Sequence, residues 1–427
     1  MNGKRKTTSN DIYNLDHRID LVHKKMAKEF SKENHSLIRQ YDNYMIVQSM
    51  AKATREIHVK RLLNLTRMIS KNWSDITKED VDELVSKIMT KYADDRGKET
   101  NSSYDHKKVL KMFFRWYKLG TRDGKAGDPP ETKDVKMKKV GNKISREELI
   151  TTHDLKELLD SCKLSKYPAR DRAFIECHAE ASTRPGEMLS LKIKHVKFDD
   201  YGAVVYVDGK TGTRTVRLVS SSTSLSQWIT VHPFGNNPEA PLWIQDNFGQ
   251  AMTYDAAYRM VRRRCSDAKI SKRVFMNLFR HTGATEAATY MTEAQMRQRH
   301  GWSNDSKMPG RYVHLNNADV DRAVLKRYGI VKEQETAEHK LPKKCTRCTF
   351  VNTWDSETCT RCHLSFDLET SLNIEQKKKQ ETERIMAIEK MLFDLLEVVT
   401  SKKASKQQIH KFKIIKKTLK DNPKLIT

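Results

Sequence analysis

Residues 121–143 read TRDGKAGDPPETKDVKMKKVGNK, and this stretch constrains the rest of the chain more than any other. It carries Pro129-Pro130, three glycines and many lysines, so it can bury little apolar area and cannot continue a helix. A chain of 427 residues interrupted there is expected to form separate domains on either side. At roughly 150 residues per domain there is room for about three. The composition places a linker at 126–147, after a helical segment 1–125 and before a second domain at 148–332.

Upstream of the break the apolar residues keep helical spacing. Thr77 and Asp80 form a capping-box pattern ahead of Val81, Leu84, Val85 and Ile88, at i, i+3, i+4 and i+7. Leu62, Leu65 and Ile69 repeat the spacing, and Val109, Leu110, Phe113, Phe114 and Tyr117 make a wide apolar face. Lys60, Arg61, Lys107, Lys108, Lys111 and Arg115 lie between these stripes and read as a solvated basic face, one that the net charge also makes a candidate to track a phosphate backbone. Downstream, Thr151 and Asp154 cap a run containing Leu155, Leu158 and Leu159. AVVYV at 203–207 and TRTVRLV at 213–219 are β-rich and flank the hairpin DGKTG. The expected fold is therefore mainly α with a small antiparallel β-sheet, the second domain being α+β.

The formal net charge is +25. A surplus of that size attracts polyanions and opposes self-association. No run of 18 apolar residues is present, so no membrane-spanning helix is expected. The N-terminal residues lack the apolar core of a secretory signal. Three of the seven cysteines are scattered, at Cys162, Cys177 and Cys265; the other four form C-T-R-C-x10-C-T-R-C at Cys345, Cys348, Cys359 and Cys362. An odd count with one tight cluster points to a reducing interior and a metal site, with a redox pair as the alternative. Two C-x2-C knuckles close a tetrahedron of thiolates, the structural Zn²⁺ pattern, with no open position for metal catalysis. Residues 341–367 would form this finger and 368–427 a helical basic tail. In that tail Ile385, Ile388, Leu392, Leu395 and Val399 mark a heptad seam of two heptads, and residues 401–427 carry nine Lys against one Asp.

The second domain holds an ordered set. Arg184 lies in ASTRPGEML, Lys210 at the hairpin tip, Arg280 in NLFRHTGAT, and Trp302 and Tyr312 in HGWSNDSKMPGRYVHL. These residue types suit a phosphodiester. Breaking a DNA strand while keeping the bond energy requires a covalent intermediate and a protein nucleophile. A phenol can serve, but its ordinary pKa near 10 makes it a weak nucleophile at neutral pH. Guanidinium groups favour the phenolate and grip non-bridging oxygens where charge grows. A hairpin lysine can protonate the leaving oxygen. No metal is needed for this chemistry.

The order Arg–Lys–(His)xxArg–(His/Trp)–Tyr resembles the catalytic domain of tyrosine recombinases, the phage integrase family, over residues ~150–325. Residues ~30–120 resemble that family's helical core-binding domain, and the ending GWSNDSKMPGRYVHL looks most like integrases of archaea and their mobile elements. The resemblance implies a site-specific DNA recombinase working through a 3′-phosphotyrosine intermediate. Tyr312 would be the nucleophile and Lys210 the general acid, with Lys192, Lys194 and Arg214 as rivals for that role. Arg184 and Arg280 would bind the scissile phosphate, Trp302 would contact it, and Glu187 and His281 would support the pocket. Asn277 occupies the position of the family's usual histidine, and an amide cannot take a proton near neutral pH. The base is therefore left open between His281, a water and activation by the arginines alone. Arg262, Arg263 and Arg264 are expected DNA contacts. The implied partners are double-stranded DNA attachment sites and a homotetramer on DNA, with no membrane and no small-molecule substrate. The implied location is the cytoplasm, at the nucleoid. Two other readings share the motifs: an inactive DNA-binding regulator, and a type IB topoisomerase-like enzyme. The cysteine spacing resembles Ran-binding-type zinc fingers and, more loosely, zinc ribbons.

Overall fold

The computed structural model describes residues 12–138, 140, 145–209, 212–312, 324, 325, 327, 328 and 341–400. The described residues form two compact units, one running to Leu218 and resuming at Leu225, the other made of Val219–Ser224 and residues 341–400. The fold is mainly helical with small antiparallel sheets, as the sequence pattern predicts. Among the described residues no helix is long and apolar enough to cross a membrane.

The first unit opens with α1 (Leu15–Glu29), α2 (Lys32–Val47), α3 (Lys52–Thr66), α4 (Lys78–Tyr92) and α5 (Asn101–Leu119). The box predicted at Thr77 and Asp80 starts α4: the Asp80 N–H donates to Thr77 Oγ1 at 3.4 Å and the Thr77 N–H to Asp80 Oδ2 at 3.0 Å. Gly120, at φ 69°, ends α5 in the left-handed conformation that glycine adopts without a Cβ penalty. The predicted stripes meet in one core of Leu62, Leu65, Val81, Leu84, Ile88, Val109, Leu110, Phe113 and Phe114, closed by Trp73. Ile69 packs on this core from beyond α3, which stops at Thr66.

Two expectations change here. Lys107, Lys111 and Arg115 are not a solvated face. Lys107 pairs with Glu99 at 2.7 Å, and Lys111 and Arg115 both hold Asp128, at 2.7 and 2.6 Å. The segment after α5 is correspondingly docked: Lys118 pairs with Glu131, Lys78 with Asp134, and Val135 enters the core. Its lysine-rich composition hides three carboxylates placed to meet α4 and α5, and these bind it together with Val135.

The same unit continues with α6 (Thr152–Ser161), α7 (Pro168–Ala181), α8 (Pro185–Leu189), a sheet, α9 (Ser222–Val231, in this unit from Leu225), α10 (Tyr254–Asp267), α11 (Met276–Ala287) and α12 (Glu293–His300). The sheet is β1 (Val196–Asp199), β2 (Gly202–Gly209) and β3 (Gly212–Leu218), antiparallel and in that order. Register runs from Ala203 opposite Leu218 to Gly209 opposite Gly212. Ala203, Val205 and Val207 alternate inward with Val216 and Leu218. β1 went unpredicted because it is short and mostly exposed.

The second unit holds β4 (Lys343–Lys344) paired with β5 (Val351–Asn352), and α13 (Leu368–Thr400). The heptad residues Ile385 and Leu392 are exposed on α13. The side chains of Leu395 and Val399, and the basic tail 401–427, lie outside the described residues.

Candidate active site and four-cysteine cluster

Three arginines from three elements converge on the end of α12. The last carbonyls of a helix have no partner within it, and they carry the negative end of its dipole. Here three consecutive carbonyls each accept from a different guanidinium. Arg214 Nε, from β3, donates to Arg299 O at 2.9 Å; Arg280 Nη2, from α11, to His300 O at 2.6 Å; Arg184 Nη2, at the N-cap of α8, to Gly301 O at 3.0 Å. Gly301, at φ 59°, turns the chain out of the helix toward Trp302.

Glu187 ties two of these arginines together. Its Oε1 accepts from Arg184 Nη1 at 2.6 Å, and its Oε2 from Arg214 Nη2 at 2.7 Å and from the Arg184 N–H at 3.0 Å. Burial works to raise the Glu187 carboxyl, but the Arg214 and Arg184 bonds outweigh it and hold the group below its ordinary value. Arg280 is 7% exposed. Burial, with Arg184 nearby, pushes even this guanidinium down to about 10. Its other donor reaches Ser182 O at 3.1 Å, which a close approach of two segments permits. Ser182 sits at φ 52°, and a Cβ at Gly283 of α11 would overlap the Ser182 side chain.

Tyr312 completes the group within the same chain. Its ring stacks on Trp302 at 5.6 Å between centroids and 3° between planes, and the Arg280 guanidinium lies 5.5 Å from the Trp302 ring centroid. The Tyr312 hydroxyl is 2.8 Å from His281 Nδ1. With the proton on Nε2, Nδ1 accepts from the phenol. Burial raises the Tyr312 phenol, opposed by Arg280 and Arg311; burial lowers His281, helped by the same two cations. The imidazole is thus neutral and the phenol protonated near neutral pH, the pairing a proton transfer needs.

The structure therefore gathers Arg184, Glu187, Arg280, His281, Trp302 and Tyr312. Asn277 is exposed on the first turn of α11. Lys210 lies outside the described residues, although its flanking glycines, Gly209 and Gly212, pair with each other and a Cβ at Gly209 would meet Glu187. The rivals Lys192 and Lys194 both pair with Glu239, at 2.9 and 2.6 Å. Arg214, weighed in the sequence only as an alternative to Lys210, belongs with the arginines. Arg262 and Arg263 are exposed on α10, but Arg264 is buried, donating to Ser161 O at 2.6 Å and pairing with Asp267 at 2.7 Å. Its charge is committed inside the fold, which removes it from the expected DNA contacts.

With this geometry in hand, residues 148–319 match the phage integrase family. The integrase match covers every member of the arginine–tyrosine cluster. A curated relative, the tyrosine recombinase XerA of Saccharolobus solfataricus, is 20% identical over 296 residues, 69% of this chain and 93% of its own. Among solved structures, the Tn1549 transposon integrase in complex with transposon right-end DNA superposes with a TM-score of 0.52 at 17% identity, covering 69% of this chain and 99% of its own. A lambda integrase tetramer bound to a Holliday junction gives 0.50 at 13% identity, covering 66% and 82%. These two likenesses carry the integrase fold.

In the second unit the four cysteine Sγ atoms lie within 4.8 Å of one another, with Cys345–Cys362 and Cys348–Cys359 each at 3.5 Å. Tetrahedral Zn–S bonds of about 2.3 Å would set the sulfurs about 3.8 Å apart, so the donor set fits one such ion. The two knuckles repeat one backbone device. The Cys345 N–H donates to Phe350 O and the Thr349 N–H to Cys345 O; the Cys359 N–H donates to Leu364 O and the His363 N–H to Cys359 O. Thr349 and His363, each following a second cysteine, both have φ near +60°. Asn352 is fully buried between the knuckles, its Nδ2 directed at Cys359 Sγ at 3.6 Å and its Oδ1 accepting from the Thr360 N–H at 2.9 Å. An amide donor on a thiolate is the kind of outer contact that orients a metal ligand.

Proposed function

We propose that the protein cuts and rejoins double-stranded DNA at specific sites, with Tyr312 as nucleophile. One observation carries the reading: a phenol is stacked on Trp302 and bonded to His281 beside a guanidinium cluster. The phenol oxygen attacks the scissile phosphorus and its proton passes to His281 Nδ1. The P–O5′ bond breaks, and Lys210 protonates the departing O5′. A 3′-phosphotyrosyl link holds the bond energy until a 5′-hydroxyl reverses the step. Arg184 and Arg280 bind the non-bridging oxygens, where charge develops in the transition state. Asn277 takes no part in proton transfer.

Helices α1–α5 would grip the duplex as a core-binding domain over residues 1–125, opposite a catalytic domain at 148–332, with Arg262 and Arg263 on the backbone. Strand exchange by a homotetramer is supported by the junction-bound tetramer of lambda integrase. The cysteine cluster would hold one structural Zn²⁺ per chain, and its four thiols suit a reducing, nucleoid-side location. The deciding experiment is adduct capture on a nicked suicide DNA bearing the target site. Wild type should form a covalent protein–DNA adduct that maps to Tyr312. Tyr312→Phe should bind the DNA and form none; an adduct in that variant rejects the assignment.

A further inference from the structure

We infer that Arg214 is a positioning residue of the phosphate pocket, keeping its charge matched to the doubly negative transition state of strand cleavage. The inference rests on the recombinase reading above and extends it to a residue outside the family's ordered set.

Its placement parallels that of Arg184 and Arg280. The three guanidiniums occupy consecutive carbonyls at the end of α12, and Arg214 takes the first of them. Arg214 also shares Glu187 with Arg184, one carboxylate oxygen each. Its side chain is 8% exposed, and its Nη1 is buried with no partner among the described residues. A guanidinium kept there at the cost of an unpaired buried donor is poorly explained as surface solubility or as packing alone.

Charge counting gives the role. Glu187 cancels one cation. Lys210 gives up its charge with the proton it passes to O5′, so the standing charge is that of the cluster: with Arg214 present, three guanidiniums against one carboxylate leave a surplus of two; without it, the surplus is one, and Glu187 draws on Arg184 alone. A phosphodiester carries one negative charge, and its five-coordinate transition state carries two. The full cluster therefore matches the transition state better than the ground state, which is the differential that accelerates a reaction. A methylphosphonate at the same position starts neutral and reaches a single negative charge. The cluster lacking Arg214 matches that charge.

The test compares single-turnover cleavage by full-length protein on two DNAs that differ only at the scissile position, phosphodiester against methylphosphonate. That position is mapped beforehand from the DNA end joined to Tyr312. The ratio of the two rates within one preparation cancels any loss of folded protein. Arg214→Gln is expected to slow phosphodiester cleavage about 100-fold and methylphosphonate cleavage only a few-fold. Arg214→Lys, which keeps the charge, should hold the wild-type ratio. Equal losses on both DNAs, or no loss, overturn the inference and leave Tyr312 in place. An adduct formed by Tyr312→Phe in the same assay strikes the underlying reading instead.

Discussion

His281 Nδ1 lies 2.8 Å from the Tyr312 hydroxyl, and the two residues reach that contact from different elements. His281 follows Arg280 directly on α11, while Tyr312 reaches the same point by stacking on Trp302. A chain with an amide at position 277 thus retains an imidazole in contact with its phenol.

The first prediction follows from that contact. His281→Phe preserves ring packing and removes the acceptor, and should slow adduct formation about 100-fold. The pH dependence has a definite sign. Burial lowers His281 below its ordinary value, so the neutral, proton-accepting form persists below pH 6.5 and is lost only as pH falls through the folded pKa. Wild-type single-turnover rates between pH 5 and 8 should show an acid limb below 6.5, and the Phe variant should lack it. An unchanged rate in His281→Phe would remove the histidine from the mechanism.

Gly283 supports a second prediction. A Cβ there overlaps the Ser182 side chain, and the Ser182 carbonyl holds Arg280. Gly283→Ala should cost about 1–3 kcal/mol by overpacking and displace Arg280, lowering cleavage at least tenfold. Ser182→Gly removes the colliding side chain at a residue already in the left-handed region, where glycine fits without strain. The double variant should recover both melting temperature and cleavage. Failure of that rescue would mean that Gly283 is needed for some other reason.

Much of this arrangement could be read from residue order alone. Helical spacing marked the stripes that became the core, and the hairpin announced itself by glycines around a β-rich pair. Arg184, Arg280, Trp302 and Tyr312 are separated widely in sequence, yet their order carried them. The partners of the arginines were hidden, because backbone carbonyls at Arg299, His300 and Gly301 have no side-chain signature. Arg214 was equally hidden, since a strand arginine spaced 27 residues from Glu187 acquires meaning only when β3 meets α8 and α12. Arg264 shows the reverse error. Its helical phase, not its charge, turns it inward, away from Arg262 and Arg263.

A third prediction concerns acid. His58 and His300 are buried and pushed down to about 3, and His178 to about 4, in each case chiefly by burial. Each is neutral when folded and gains a proton on unfolding below its unfolded value near 6.5. The unfolded chain therefore binds more protons, and stability falls as pH drops from about 6.5 toward 4. Each such group contributes roughly 1.4 kcal/mol per pH unit in that window. Between pH 6.5 and 5 the carboxylates have barely begun to titrate in the unfolded chain, so the histidines dominate. Melting temperature should be flat from pH 7 to 8 and decline from 6.5 to 5, and the decline should be shallower in His178→Gln if that variant folds. A flat profile down to pH 5 would show that these imidazoles are not desolvated in the native state.

The last prediction treats the cysteine cluster. Residues 341–367 have few large apolar side chains, and the burial that exists is centred on Cys345, Cys359 and Asn352. A segment this short does not hold two strained knuckles by packing alone. Structural zinc supplies about 10–16 kcal/mol of apparent binding free energy in comparable peptides, far more than such a core provides. Purified, reduced protein should carry one zinc per chain, released by a thiol-modifying reagent and counted with a chromophoric chelator. Because the ligands bind as thiolates, binding releases protons, and affinity must fall as pH falls. Chelation at pH 6 should therefore strip the metal at lower chelator concentration than at pH 8. Loss of zinc, or Cys359→Ser, should open residues 341–367 to protease. Protein that contains no zinc and yet resists cleavage in this segment would mean that the cluster is held by something other than a metal.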